Sequence, residues 1–449
     1  MFELGRSSWD DYDQSLLSEG GMIIPRGAKE VELSPQALQA LGVHDGDEQP
    51  TDGEALVRAV LRAPVELLWN GGIGTYVKSA SESHADAGDP SNDAVRLDAG
   101  ELRCDVIGEG GNLGLTQRAR IEYARLGGRI NTDALDNSGG VDMSDHEVNL
   151  KILLTPAVAS GALKQDKRNE LLEELTEAVA ELVLDNNRSQ SLAVSLDERR
   201  SKESIDEFRD LMLSLEKAGE LDRATENLPS TDVLIERRER GQGMARPELC
   251  VLLAYAKLSL KTRLLSSGLP NDPVTESYLL GYFPPQAISA AGQENLEEHR
   301  LRREIITAEI TNDLVDLMGS AFVFRMMRDT GRSPDDVVRA WLVASRLADH
   351  RVLMRQMAQQ AKAVNARVSY RWLLGLARVL ERTTRWVLQN VEPEESSAAI
   401  VEENLPGLSS LREAFGDVVR GEERTLFQAR VREIQELGAD EAFSRRLIT

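Results

Sequence analysis

Along the first 150 residues, apolar positions come in short runs that end on glycine. Residues 65–69 run into Asn70-Gly71-Gly72-Ile73-Gly74, and residues 104–107 run into Gly108-Glu109-Gly110-Gly111-Asn112-Leu113-Gly114. A short apolar run, a glycine turn and then helical spacing is the pattern of an α/β unit. Residues 115–126 carry the helical spacing, Gly127-Gly128 stops it, and residues 129–131 are predicted to form the next strand. Strand, loop, helix, strand in that order calls for a parallel sheet, because parallel neighbours need a crossover between them. From about residue 145 the period changes. Leu171, Leu172, Leu175, Val179, Leu182 and Val183 recur at three and four residue intervals, as do Ile306, Ile310, Leu314 and Leu317, so this part is predicted to be helices packed on helices. Pro247 suits the first turn of a helix through Leu249, Leu252, Leu253 and Ala256, since proline there loses no needed N–H. Loops are expected at 269–273, at 283–285, and in the acidic stretches 84–94 and 392–399.

Composition narrows the function classes. Aromatics are only 4% of the 449 residues, while Ala, Leu, Glu and Arg abound, which favours helix and argues against an all-β fold. Lys plus Arg number 53 against 75 Asp plus Glu, a net charge of −22; such a field repels phosphate backbones and anionic lipid, so neither nucleic acid nor a membrane surface is an expected partner. Two cysteines, Cys104 and Cys250, cannot build a disulfide framework or a cysteine-rich zinc site. No apolar leader opens the sequence and no window reaches the ~18 apolar residues of a membrane span. The reading is a cytoplasmic protein.

Chemistry is expected in the glycine-rich part, where turns without Cβ atoms at the carboxyl ends of parallel strands let a ligand reach the backbone. Asn70 to Gly74, Glu109 to Gly114, and Asn137-Ser138-Gly139-Gly140 are three such turns. Each either contributes to a shared site or merely reverses the chain. The 108–114 segment is not a dinucleotide fingerprint, because its third glycine comes one position too late for G-x-G-x-x-G, and no P-loop or G-x-S-x-G elbow occurs. Ser144 followed by Glu147 reads as a capping box opening the second half, although a helix N-terminus at that serine would also attract a substrate carboxylate. His146 is expected on a helix surface, with a role as a base as the alternative. His84 with Asp86, Asp89 and Asp93 lacks the spacing of a calcium loop and is expected to be a solvated acidic loop; no metal is expected.

With these residues in view the sequence becomes recognisable. SSWDDYDQSL (7–16), LLWNGGIGTYVK (67–78), HADAGDPSNDA (84–94), the block from Gly108 to Leu154, RPELCVLLAYAKLSL (246–260), HRLRREII (299–306) and TNDLVDLMG (311–319) resemble, in the same order, the C-terminal part of the large bacterial NAD-specific glutamate dehydrogenases. The 108–154 block is also similar, more distantly, to the small glutamate dehydrogenases, which carry Glu-Gly-Ala-Asn and then Asn-Ala-Gly-Gly-Val followed by a serine. Here those positions read Glu109-Gly110-Gly111-Asn112 and Asn137-Ser138-Gly139-Gly140-Val141, with Ser144 in the serine's place.

The resemblance implies an α/β fold for residues 1–145, the distal part of an incomplete Rossmann-like NAD-binding domain with a parallel sheet, followed by a mainly α-helical C-terminal domain over 146–449. It implies that Asn112 and Asn137 face the nicotinamide and its ribose, that Asn70, Gly71 and Gly72 pass under the cofactor ribose, and that Ser144 touches the side-chain carboxylate of glutamate. The implied reaction is oxidative deamination of L-glutamate to 2-oxoglutarate and ammonium with NAD, in a homo-oligomer. The family's catalytic lysine and acid lie in a substrate domain before the cofactor domain, so no catalytic residue is expected in this chain and it is expected to be inactive alone. The alternative is a helical oligomerisation or regulatory module without catalysis.

Overall fold

The computed structural model describes residues 7–44, 46–392 and 395–448. It is mainly helical, 66% of the chain, with a small parallel sheet component. Close packing divides it into two compact units: one holds the residues up to Val141 together with 224–228 and 244–251, the other holds 142–223, 229–243 and 252 onward.

Among the described residues of the first unit, four short strands form two parallel pairs. β1 (Leu67–Asn70) lies beside β4 (Val106–Glu109), with Leu67 opposite Val106 and Asn70 opposite Glu109; β2 (Val77–Lys78) lies beside β3 (Leu97–Asp98). Helices α1 (Pro35–Leu41) and α2 (Gly53–Leu61) are capped by Ser34 and Asp52, whose side chains accept from the N–H groups of Ala37 and Ala55. α3 (Gln117–Arg125) starts on Thr116, whose hydroxyl accepts from Ala119 N–H at 3.1 Å, and stops where Gly127 takes φ +108°, a conformation that costs glycine little. Val77, Ala99, Cys104, Ile107, Leu115, Ala119, Tyr123 and Ile130 close into the core of this unit. The strand expected over 129–131 is reduced to one parallel bridge, Arg129 to Val106. Gly127-Gly128 ends the helix directly before it, and past Ile130 the chain turns at once into α4 (Asp133–Asp136), leaving no length for a longer ladder.

The Asn137-Ser138-Gly139-Gly140 segment is not a turn. Asn137 is the C-terminal cap of α4, and Ser138 begins α5 (Ser138–Ala159). Ser144 consequently lies within that helix and does not cap it, so the capping box with Glu147 is not formed; the helix starts at Ser138, ahead of the position a Ser144 cap would give, with the two glycines in its first turn, where their low helix propensity costs least.

The second unit is built of helices. The spacing read over 171–183 falls in Gln165–Glu174 and Thr176–Glu203, and Ile306 to Leu317 lie in Arg302–Met318. Trp341, Phe208, Phe283, Phe322 and Met212 are among its fully buried side chains. Pro247 is the second residue of the helix Arg246–Leu265, as its position predicts. The acidic stretch 392–399 runs into the helix Ser397–Val418; its Pro393 and Glu394 lie outside the described residues, as do Met1 to Arg6 of the N-terminal reading. No described helix is long and apolar enough to cross a membrane.

Candidate functional site

Two of the glycine turns meet at the carboxyl ends of paired parallel strands. The carbonyl of Asn70, the last residue of β1, accepts from the N–H groups of both Gly110 and Gly111 at 2.9 and 3.0 Å. The loops then touch through atoms that leave no room for a side chain: a Cβ at Gly111 would strike the carbonyl of Gly72, and one at Gly114 would strike the Asn70 amide. That amide nitrogen is buried and makes no hydrogen bond. Around Gly72 itself there is open space, and Gly71, Gly72 and Asn112 are exposed. Backbone is therefore presented to solvent at the crevice where an open α/β sheet takes its ligand.

A buried charge pair holds the second turn. Glu109, fully buried at the end of β4, receives two bonds from Arg120 of α3, at 2.7 and 3.0 Å, and a third from the N–H of Leu115 at 3.2 Å. Burial pushes the Glu109 carboxyl above its ordinary value, while the Arg120 bonds and charge pull it down. Arg120 also pairs with Asp133 at 3.2 Å. Asp133 accepts from Leu113 N–H at 2.7 Å, and Asp136 accepts from Glu109 N–H at 3.0 Å. Leu113 sits at φ +57°, a strained conformation for a branched side chain, and its carbonyl is held by the Thr75 hydroxyl at 2.8 Å. The same α4 that supplies Asp133 and Asp136 ends on Asn137, so the position of Asn137 is tied to the Glu109 turn through its neighbour. Asn70, Gly71, Gly72, Asn112 and Asn137 thus belong to one connected set of loops in the first unit.

Ser144 lies in the second unit and is exposed. His146, one position further from it than a neighbour on α5, is not on a helix surface. It is buried and stacked on Tyr282, ring centroids 4.2 Å apart and planes 14° from parallel. It falls on the face of α5 that carries Leu150 and Leu153 at i+4 and i+7, which turns it inward. Burial lowers its basicity against the pull of Asp142 and Asp145, and neither ring nitrogen has a hydrogen-bond partner. Asn149 donates to the Tyr282 hydroxyl at 2.8 Å. In the same unit burial, helped by Asp142 and Asp313, pushes the Glu309 carboxyl up to about 7. Sequence reasoning missed Tyr282, whose partners His146 and Asn149 are more than a hundred residues away, and Glu309, whose burial is set by packing that no local motif marks.

The His84 loop binds itself. Arg96 donates to His84 Nδ1 at 3.1 Å and to Asp93 at 2.5 Å, while Asp89 accepts from Thr75 N–H at 2.9 Å. Among the described residues no group of three or more His, Cys, Asp or Glu side chains is placed to hold a metal ion.

Residues 1–197 match the family model described as bacterial NAD-glutamate dehydrogenase, catalytic domain, and residues 241–449 match that of glutamate dehydrogenase, C-terminal. The chain is 43% identical to proteins named NAD-specific glutamate dehydrogenase from Halomonas elongata and from Pseudomonas aeruginosa, each over 99% of its length. It is 40% identical to the protein of the same name from Mycobacterium tuberculosis over its whole length. It spans 27 to 28% of the length of these curated relatives. With both halves matched and the similarity unbroken from one end to the other, the chain belongs to the bacterial NAD-specific glutamate dehydrogenase family.

Proposed function

We propose that this chain is the C-terminal portion of an enzyme that oxidatively deaminates L-glutamate to 2-oxoglutarate and ammonium, and that residues 1–145 are the distal part of its Rossmann-like NAD-binding domain. The observation that carries the reading is the pair of glycine turns joined through the Asn70 carbonyl, which expose backbone at the carboxyl ends of β1 and β4. The bound NAD supplies the hydride-accepting nicotinamide. In this reading Gly71 and Gly72 let the main chain approach the cofactor ribose, and the unpartnered Asn70 amide beside them is a donor awaiting an acceptor. Asn112 and Asn137 offer side-chain amides to the nicotinamide and its ribose. The Ser144 hydroxyl donates to the side-chain carboxylate of glutamate. The catalytic lysine and acid are assigned to a part of the enzyme outside these 449 residues, which leaves this chain without dehydrogenase activity of its own, since hydride transfer needs donor and acceptor held together.

The test is steady-state kinetics in a full-length enzyme carrying this segment. Losing one oriented hydrogen bond, about 1.5 kcal/mol, means Asn137→Ala and Asn112→Ala each lower kcat/KM for NAD by about tenfold or more. Unchanged kinetics in both would reject the cofactor assignment.

A further inference from the structure

The acidic stretch 84–94, expected to be a solvated loop, sends bonds inward, and together with Arg96 it fixes Thr75. Thr75 is buried. Asp89 accepts from its N–H at 2.9 Å, and Arg96, whose side chain is wholly removed from solvent, donates to its carbonyl at 2.8 Å. The Ser91 hydroxyl, the Asn92 amide and the Thr75 N–H hold the Asp89 carboxyl well below its ordinary value, so it stays a charged acceptor at neutral pH. Arg26 donates to the Asn92 side-chain carbonyl at 2.7 Å. Gly74, at φ +126°, leaves the space that Asn92 fills, since a Cβ there would strike the Asn92 amide. With both of its backbone groups held, Thr75 donates its hydroxyl to the carbonyl of Leu113 at 2.8 Å.

That carbonyl belongs to the strained residue of the second glycine turn. Leu113 lies at φ +57° with its side chain 60% exposed, so packing does not keep it there. Two bonds do: its N–H donates to Asp133 at 2.7 Å, and its carbonyl accepts from Thr75. A left-handed leucine costs about what one or two hydrogen bonds contribute, so removing either bond lets the turn relax. The relaxation would stay local. Tyr76 N–H donates to the Gly114 carbonyl at 2.8 Å and Thr116 N–H to the Val77 carbonyl at 3.0 Å, and these main-chain bonds hold the neighbouring residues whatever Thr75 does. Asn112 directly precedes Leu113, so the direction of its side chain is set by this conformation.

We propose that Thr75 is a positioning residue for the cofactor: its hydroxyl keeps Leu113 left-handed and thereby aims the Asn112 amide at the nicotinamide and its ribose, with the 84–96 loop as the brace that fixes Thr75. The inference rests on the cofactor assignment of Asn112 made above. It gives the acidic stretch a use that its composition does not suggest, because a hydrogen bond that preorganises a binding group adds to affinity without touching the ligand.

Steady-state kinetics in a full-length enzyme carrying this segment test it. Thr75→Val should lower kcat/KM for NAD by about fivefold or more and leave KM for glutamate within about twofold. Thr75→Ser keeps the hydroxyl and should restore the NAD kinetics to within about twofold of wild type. In the Asn112→Ala background Thr75→Val should add less than about twofold, since the residue it acts through is already removed. Asp89→Ala loosens the brace and should lower kcat/KM for NAD by about threefold. In the 449-residue chain without cofactor, Thr75→Val should speed hydrogen exchange in a peptide covering 110–116 by about fivefold and leave one covering 117–125 unchanged. Normal NAD kinetics in Asn112→Ala would reject the assignment of Asn112 itself, and the inference with it. With Asn112→Ala impaired, the inference alone is overturned by unchanged NAD kinetics in Thr75→Val or Asp89→Ala, by failure of Thr75→Ser to recover them, by a Thr75→Val loss that multiplies in full onto that of Asn112→Ala, or by unchanged exchange over 110–116.

Discussion

Arg120→Met tests whether the Glu109 pair anchors the glycine turn. Both side chains are almost wholly removed from water, 3% and 0% exposed, so the substitution leaves a carboxylate buried without its cation. Breaking a buried pair in this way costs about 3–5 kcal/mol, a large fraction of the roughly 5–15 kcal/mol that holds a domain together. For a unit of this size that corresponds to a fall in Tm of roughly 6 °C or more. The double variant Glu109→Leu with Arg120→Met removes both charges and should recover much of the loss, yet not all. The Leu115 N–H loses its acceptor, at about 1–3 kcal/mol for an unpaired buried donor. Urea unfolding read by hydrogen exchange in a peptide covering 106–125 reports the first unit alone. A coupling energy between the two positions under about 0.5 kcal/mol would refute the claim that this pair holds the turn.

Ser144→Ala should change the stability of this chain by less than the ~1 kcal/mol that loss of an N-cap costs, because Ser144 lies inside α5; thermal melting checks it. A larger fall in Tm would restore a capping role. Glu309 predicts a pH dependence of the second unit: its folded carboxyl titrates near about 7 against an ordinary 4.5. The folded state therefore holds the extra proton between those values, and its stabilising contribution, complete below about pH 4.5, is lost as pH rises through about 7. Glu309→Gln should flatten that part of the stability profile and leave the protein more stable than wild type at pH 8, measured by urea midpoints across pH; an unchanged slope would exclude Glu309 as its source.

β1 and β4 were legible because each is an apolar run stopped by glycine, whereas β2 (Val77–Lys78) and β3 (Leu97–Asp98) are two-residue strands that carry no such signal; α3 was legible because Thr116 and Gly127-Gly128 bracket a helical period. A parallel sheet was expected from the strand, helix and strand over 104–131, but the pairing of β1 with β4 joins segments about 40 residues apart that no local pattern links. The start of α5 was not legible: Asn137 to Gly140 has the composition of a turn, but four residues after Asp133 the backbone is already helical, and glycines in a first turn continue it. His146 was misplaced because its burial depends on Tyr282, 136 positions later in the sequence, a partner no local period encodes. The Glu109 pair carried a readable signal. A carboxylate at the last position of a buried strand needs a cation, and Arg120 stands one turn into the helix that follows.

The glycines of the candidate site serve two different needs, and only one of them concerns a ligand. Side chains at Gly108 or Gly110 would collide with the indole of Trp69, and at Gly111 or Gly114 with the facing loop, so those four are required by packing whatever binds there. Their presence is no evidence for a cofactor. Gly72 differs, since an added methyl group meets nothing within 4 Å and its φ lies outside the left-handed region. The fold therefore tolerates Gly72→Ala, with a stability change within about 0.5 kcal/mol. If the backbone here lies against the cofactor ribose, the same methyl group occupies the ligand's space. In a full-length enzyme carrying this segment, a raised KM for NAD with an unmoved Tm would assign Gly72 to the ligand; KM and Tm both unchanged would mean that this turn only reverses the chain.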